Sequence, residues 1–151
     1  MHTTKTQTVT NLISRVRRYH AAAWLSLALS ACGDPQGFSA PEDPLDASRE
    51  FVRAVLDANF ERAEQYILPD ADDMELFKRY RAHMSNQPAD DRLHLKEANI
   101  IINKVEALND TVSIVNFQNS WSNKPADLKV VKRQDRWYID FKYTFSKETP
   151  E

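Results

Sequence analysis

The chain has 151 residues, 42% hydrophobic and 10% aromatic, which suits one domain with a packed core and is too apolar for a disordered chain. Its two glycines, Gly33 and Gly37, precede the core-forming part, so no glycine-rich phosphate loop or dinucleotide fingerprint is available. A single cysteine excludes both an intrachain disulfide framework and a thiolate zinc cluster. Of 20 cations, four (Lys5, Arg15, Arg17 and Arg18) lie in residues 1–31, which hold no acid, leaving 16 against 22 acids in the remainder. An acidic remainder does not displace counterions from a polyphosphate, so nucleic acid is not the expected partner.

The first segment reads as an address. A basic cluster, Arg15-Val16-Arg17-Arg18, precedes the uncharged run Ala21-Ala22-Ala23-Trp24-Leu25-Ser26-Leu27-Ala28-Leu29-Ser30-Ala31, and Cys32 follows. A positive flank, a short apolar run and small residues before a junction mark a secretory signal. Eleven helical residues rise about 16 Å, half the hydrocarbon thickness, so the run is not a membrane span. The Arg17-Arg18 pair invites a twin-arginine reading, but its surroundings lack the rest of that pattern and fit the general secretory route. Leu29-Ser30-Ala31-Cys32 resembles the lipobox of bacterial lipoproteins. That resemblance implies cleavage before Cys32, acylation of its thiol, and a bilayer as the first partner. Two or three acyl chains hold a protein far more firmly than one. Gly33 after the cysteine, rather than an aspartate, implies by the same analogy an outer-membrane, periplasm-facing position.

The expected organisation is a signal peptide over 1–31, a tether over 32–43, a folded domain over 44–146 and a tail over 147–151. Pro35, Pro41 and Pro44 with Gly33 and Gly37 keep the tether extended. Asp43-Pro44 is an N-cap followed by a proline at the first helical position. Leu45, Ser48, Val52, Val55 and Leu56 then recur at helical spacing, widened by Phe51. Phe60, Ala63 and Ile67 mark a short second helix closed by Pro69, and Asp70 caps a third carrying Met74, Phe77, Tyr80 and Met84. Ser85 to Asp91 reads as a loop. From Leu93 and Leu95 the period changes to two, and Ile100-Ile101-Ile102 opens a β-branched run to about Leu108. Asn109-Asp110 supplies a turn tolerant of positive φ. A second strand starts at Val112 and Ile114, with Val115, Phe117 and Trp121 on the other parity. A loop over Ser122–Asp127 leads to a third strand at Leu128, Val130 and Val131. Gln134-Asp135 turns into a fourth, Trp137 to Phe145, alternating with Tyr138, Asp140, Lys142 and Thr144. The layout is α+β: three N-terminal helices, then a curved antiparallel sheet of about four strands.

Residues 44–145 in this order resemble the nuclear transport factor 2-like (cystatin-like) superfamily, and within it a domain of unknown function in small bacterial lipoproteins. The residues that carry the likeness are Ala47-Ser48-Arg49-Glu50-Phe51-Val52-Arg53-Ala54-Val55, Asn59-Phe60-Glu61-Arg62-Ala63 and Leu128 through Ile139. Where the family's final hairpin usually has glycine, this chain has Asp135 or Arg136, which points to a different turn. The resemblance implies a cone whose concave sheet faces the helices, in some members around a pocket.

Enzymes of that superfamily use a pocket Asp or His as general base, and the titratable candidates here are His83, His94, Asp127 and Asp140. Strand parity turns His94 and Asp140 to solvent, and His83 falls in the last turn of a helix, where a cation is simply stabilising. No acid and histidine recur at metal-ligand spacing, so no metal, cofactor or catalytic residue is assigned. The expected role is binding of a small molecule or an envelope protein, with a pocket acid–base enzyme as the alternative. Tyr66, Tyr80, Trp121, Trp137 and Tyr143 are the aromatic candidates for a cavity wall, although Trp137 and Tyr143 would equally fill the core. The candidate pocket mouth is Asn116, Gln118, Trp121 and Tyr143, where the second and fourth strands pass the helices.

Overall fold

The computed structural model of the protein describes residues 40–146. The signal segment 1–31, Cys32, most of the tether and the tail 147–151 lie outside the described residues.

Asp43 and Pro44 open the first helix, α1 (Pro44–Leu56), with the Asp43 carboxylate accepting from the Asp46 amide at 2.8 Å. Its apolar stripe buries Phe51, Val52, Val55 and Leu56. The chain leaves α1 through Ala58, whose φ of 56° lies in the left-handed region normally given to glycine. Asn59 then caps α2 (Phe60–Glu64), accepting from the Arg62 amide at 3.1 Å. Asp70 caps α3 (Ala71–Ser85), accepting from the Asp73 amide at 3.0 Å.

A fourth helix, α4 (Ala89–Glu97), follows where a loop and the first strand residues were expected. Leu93 and Leu95 alternate with polar neighbours because the helix is only half-covered, not because the chain is extended. Its surroundings explain the helix: Pro88 precedes it, Asp90 and Asp91 sit in its first turn, and His94 and Lys96 sit in its last. Four helices therefore precede the sheet.

The strands are β1 (Ile100–Asn109), β2 (Val112–Asn119), β3 (Ala126–Arg133) and β4 (Arg136–Asp140), all antiparallel, in the order β1-β2-β3-β4. The pairs Val115↔Leu128 and Val130↔Ile139 set the parity that faces the helices. Asn116↔Asp127 and Lys129↔Asp140 set the opposite parity. Segment 66–68 lies along the free side of β4: the Ile139 amide donates to Tyr66 O at 2.7 Å, and the Leu68 amide to Ile139 O at 2.9 Å. This covers an edge that would otherwise be open.

No glycine was available for the turns. Gln134 and Asp135, at φ 50° and 59°, close the β3–β4 hairpin with both central residues left-handed. Asn109 and Asp110 do not adopt positive φ; the Asn109 side chain instead accepts from the Thr111 amide at 2.9 Å.

The fourth strand is shorter than its alternation suggests. It ends at Asp140, and Phe141–Ser146 form a last helix, α5. Two carboxylates hold its start: Asp140 accepts from the Tyr143 amide at 3.3 Å, and Asp73 accepts from the Lys142 amide at 2.7 Å. Asp73 is fully buried, and burial pushes its carboxyl above the usual carboxylate value. Asp70 beside it is held below that value by the Asp73 backbone amide. Trp137 is buried at 8% exposure, and Phe141 reaches the centre of the core.

Candidate functional site

Between the helices and the helix-facing side of the sheet lies a cavity of about 270 Å³. α1 gives it Phe51, Val52, Val55 and Leu56; α3 gives Tyr80 and Met84; α4 gives Leu95. The sheet adds Phe117, Ala126 and Leu128, and α5 adds Phe141 and Thr144. The aromatic end is fixed by edge-on packing: Phe141 meets Phe77 at 5.3 Å and 87°, and Phe51 at 6.1 Å and 73°. Such interlocked rings keep the wall from collapsing inward, because any shift must move several side chains together.

The opposite side is closed by α4 and by the β2–β3 connection. Arg53 of α1 clamps the C-terminal end of α4, donating to Lys96 O at 2.9 Å and Ala98 O at 3.0 Å. In the connection, the Asn119 side-chain oxygen accepts from the Trp121 amide at 3.1 Å and the Ser122 amide at 2.8 Å. The Ser120 amide donates to Asn99 O at 2.9 Å, and the Asn99 amide returns a bond to Ser120 Oγ at 2.9 Å. Both cross-links tie this segment to the start of β1. Asn119 at the end of β2, with Ser122, Lys124 and Pro125 of the connection, completes the cavity wall.

The residues singled out from sequence surround this region, but none of the four belongs to the wall. Asn116 and Gln118 lie on the other parity of β2. There Asn103 Nδ2 donates to Asn116 Oδ1 at 2.9 Å, and Asn116 Nδ2 donates to Asp127 Oδ1 at 2.6 Å. Their neighbours Phe117 and Asn119 take the inward positions. Trp121 is 48% exposed and stacks on His94 of α4, ring centres 4.0 Å apart and planes 11° from parallel. Tyr143 lies on α5 rather than a strand, with the Lys129 ammonium 5.6 Å over its ring. Of the aromatic candidates, Tyr80 lines the cavity, while Tyr66 and Trp137 are buried in the core.

The titratable candidates are placed as follows. Asp140 does not point to solvent: it is 8% exposed, ion-pairs with Lys129 at 2.9 Å and anchors α5. His94 is helical rather than on a strand, and lies 3.5 Å from Asp90. His83 contacts the Gln87 side chain at 3.0 Å. Among the described residues, the cavity wall contains no Asp, Glu, His or Cys, and no group of metal-ligating side chains occurs.

No protein-family model, no curated protein and no solved structure matches the chain. Leu95, Ser122 and Lys124 are wall residues that the sequence reading passed over. The signal for Leu95 was the proline-led segment around it, acidic in its first turn and basic in its last; Ser122 and Lys124 carried none, since loop residues acquire a face only when the sheet curls.

Proposed function

We propose that this chain is a lipid-anchored envelope lipoprotein whose domain, a cone of the nuclear transport factor 2-like type, binds a small apolar molecule in its cavity. The carrying observation is the 270 Å³ cavity, walled mainly by aromatic and aliphatic side chains and edged by a few polar groups. Buried apolar walls favour apolar guests, and a few fixed polar groups orient them. Helices stacked on one side of an antiparallel sheet support the cone, although four rather than three precede it. The lipobox-like Leu29-Ser30-Ala31-Cys32 and its basic flank support the anchor. Among the described residues the wall holds no carboxylate or imidazole, which supports binding over acid–base catalysis.

The test is calorimetric binding of naphthalene to the full-length protein, against a variant in which Ala126→Phe fills the cavity. Saturable binding to the parent and its loss in the filled variant is the expected result. Equal heats from both would refute a cavity site. For the anchor, Cys32→Ser is expected to abolish incorporation of labelled fatty acid and leave the precursor uncut. Labelling that persists would remove the lipoprotein reading.

A further inference from the structure

The cavity wall has an uneven chemistry that narrows the guest. Among the described residues its only charged member is Lys124, and no acid accompanies it. Lys124 is exposed and has no ion-pair partner among the described residues. The neighbouring polar groups also offer donors. Asn119 commits its side-chain oxygen to the loop amides, and its Nδ2 makes no hydrogen bond among the described residues. Ser122 carries a hydroxyl, and its oxygen accepts only a long 3.4 Å contact from the Lys124 amide. Thr144, across the cavity, already gives its proton to Asp127 O at 3.0 Å. One ammonium, one amide NH₂ and one hydroxyl thus converge on a single segment, residues 119–124. That segment is pinned by its own hydrogen bonds, so little ordering is needed on binding.

We propose that the cavity takes a free single-chain carboxylate, its tail among Phe51, Val55, Leu128 and Phe141 and its head at Lys124, Asn119 and Ser122. This rests on the binding reading above and adds the guest's charge and shape. An apolar cavity of 150 Å³ holds benzene, so 270 Å³ has room for roughly ten carbons, a medium-length acyl chain rather than a membrane lipid. A monoanion matches the single cation, and a carboxylate accepts from three donors at once. A cationic amphiphile meets Lys124 with like charge, and a neutral alcohol leaves the ammonium uncompensated.

The experiment titrates octanoate, 1-octanol and octyltrimethylammonium into the full-length protein at low ionic strength, followed by calorimetry. Octanoate is expected to bind about five-fold more tightly than 1-octanol, the size of an exposed charge pair, with the ammonium weakest. Lys124→Gln is expected to weaken octanoate about five-fold and so erase the preference, with the thermal midpoint unchanged. High salt narrows the preference in the parent. Equal affinity for octanoate and octanol, or a preference that survives Lys124→Gln, overturns the carboxylate assignment and leaves the cavity reading standing. Failure of every probe to bind, or binding unaffected by Ala126→Phe, overturns both.

Discussion

α1 and α4 both face the cavity, but different forces hold them there. α1 sinks seven residues into the core, and its position follows from apolar burial. α4 buries none. Beyond Leu95 against the core, its attachments are mostly polar: Arg53 on its last carbonyls and Arg92 reaching back to Gln87 O at 2.6 Å, with the His94–Trp121 ring stack beside them. One wall is therefore set by the non-directional exclusion of water, the other by a few directional bonds open to solvent. The second kind is the one that opens at low cost, because each bond lost to the protein is regained with water.

The largest expected effect lies on α1. Phe51→Ala removes a ring packed against Phe77 and Phe141 and is expected to cost roughly 3–5 kcal/mol in urea unfolding. A cost under about 1 kcal/mol would break the contrast at its strong side. Arg53→Met releases α4 while keeping much of the aliphatic stem. About 1–2 kcal/mol of global stability is expected to go. Hydrogen exchange is expected to quicken in α4 and not in α1, and equal acceleration of both helices would dissolve the distinction. The smallest effect is that of Trp121→Ala. With the indole half in solvent, a loss below about 1 kcal/mol is expected from the thermal midpoint. A loss above about 2 kcal/mol would make the stack a structural strut.

The same contrast explains what could be read from the sequence. α1 was legible because its burial is deep enough to impose a clean helical stripe, and Asp43-Pro44 fixes its start. On β2 the alternation separated Val115 and Phe117 from Val112 and Ile114, and the structure turns the first pair toward the helices. α4 was not, because a helix touching the core only through Leu95 leaves a pattern that Leu93 turns into false alternation. The end of β4 was hidden because Phe141 and Tyr143 continue the strand rhythm, while the groups that end it, Asp73 and Asp140, act through backbone amides. The expected pocket residues Asn116 and Gln118 lie on β2 with Phe117, on the parity opposite its inward side. Polar residues on β2 drew attention to Asn116 and Gln118, which bond to Asn103 and Asp127. The inward Asn119 is distinguished only by the loop that it caps.

The bond from Asp73 to the Lys142 amide spans 69 positions and closes the last helix over Phe77. Phe141, beside it, is the ring against which Phe51, Phe77 and Tyr80 pack. A chain that emerges N-terminus first from a ribosome thus lacks the keystone of its core until residue 141 has arrived. Long-range closure of this kind delays folding, since the loop must be drawn shut before the contacts reward it. The late keystone leaves the core open at its centre until Phe141 is in place, so the last interlocked ring is added only after all four strands have been synthesised.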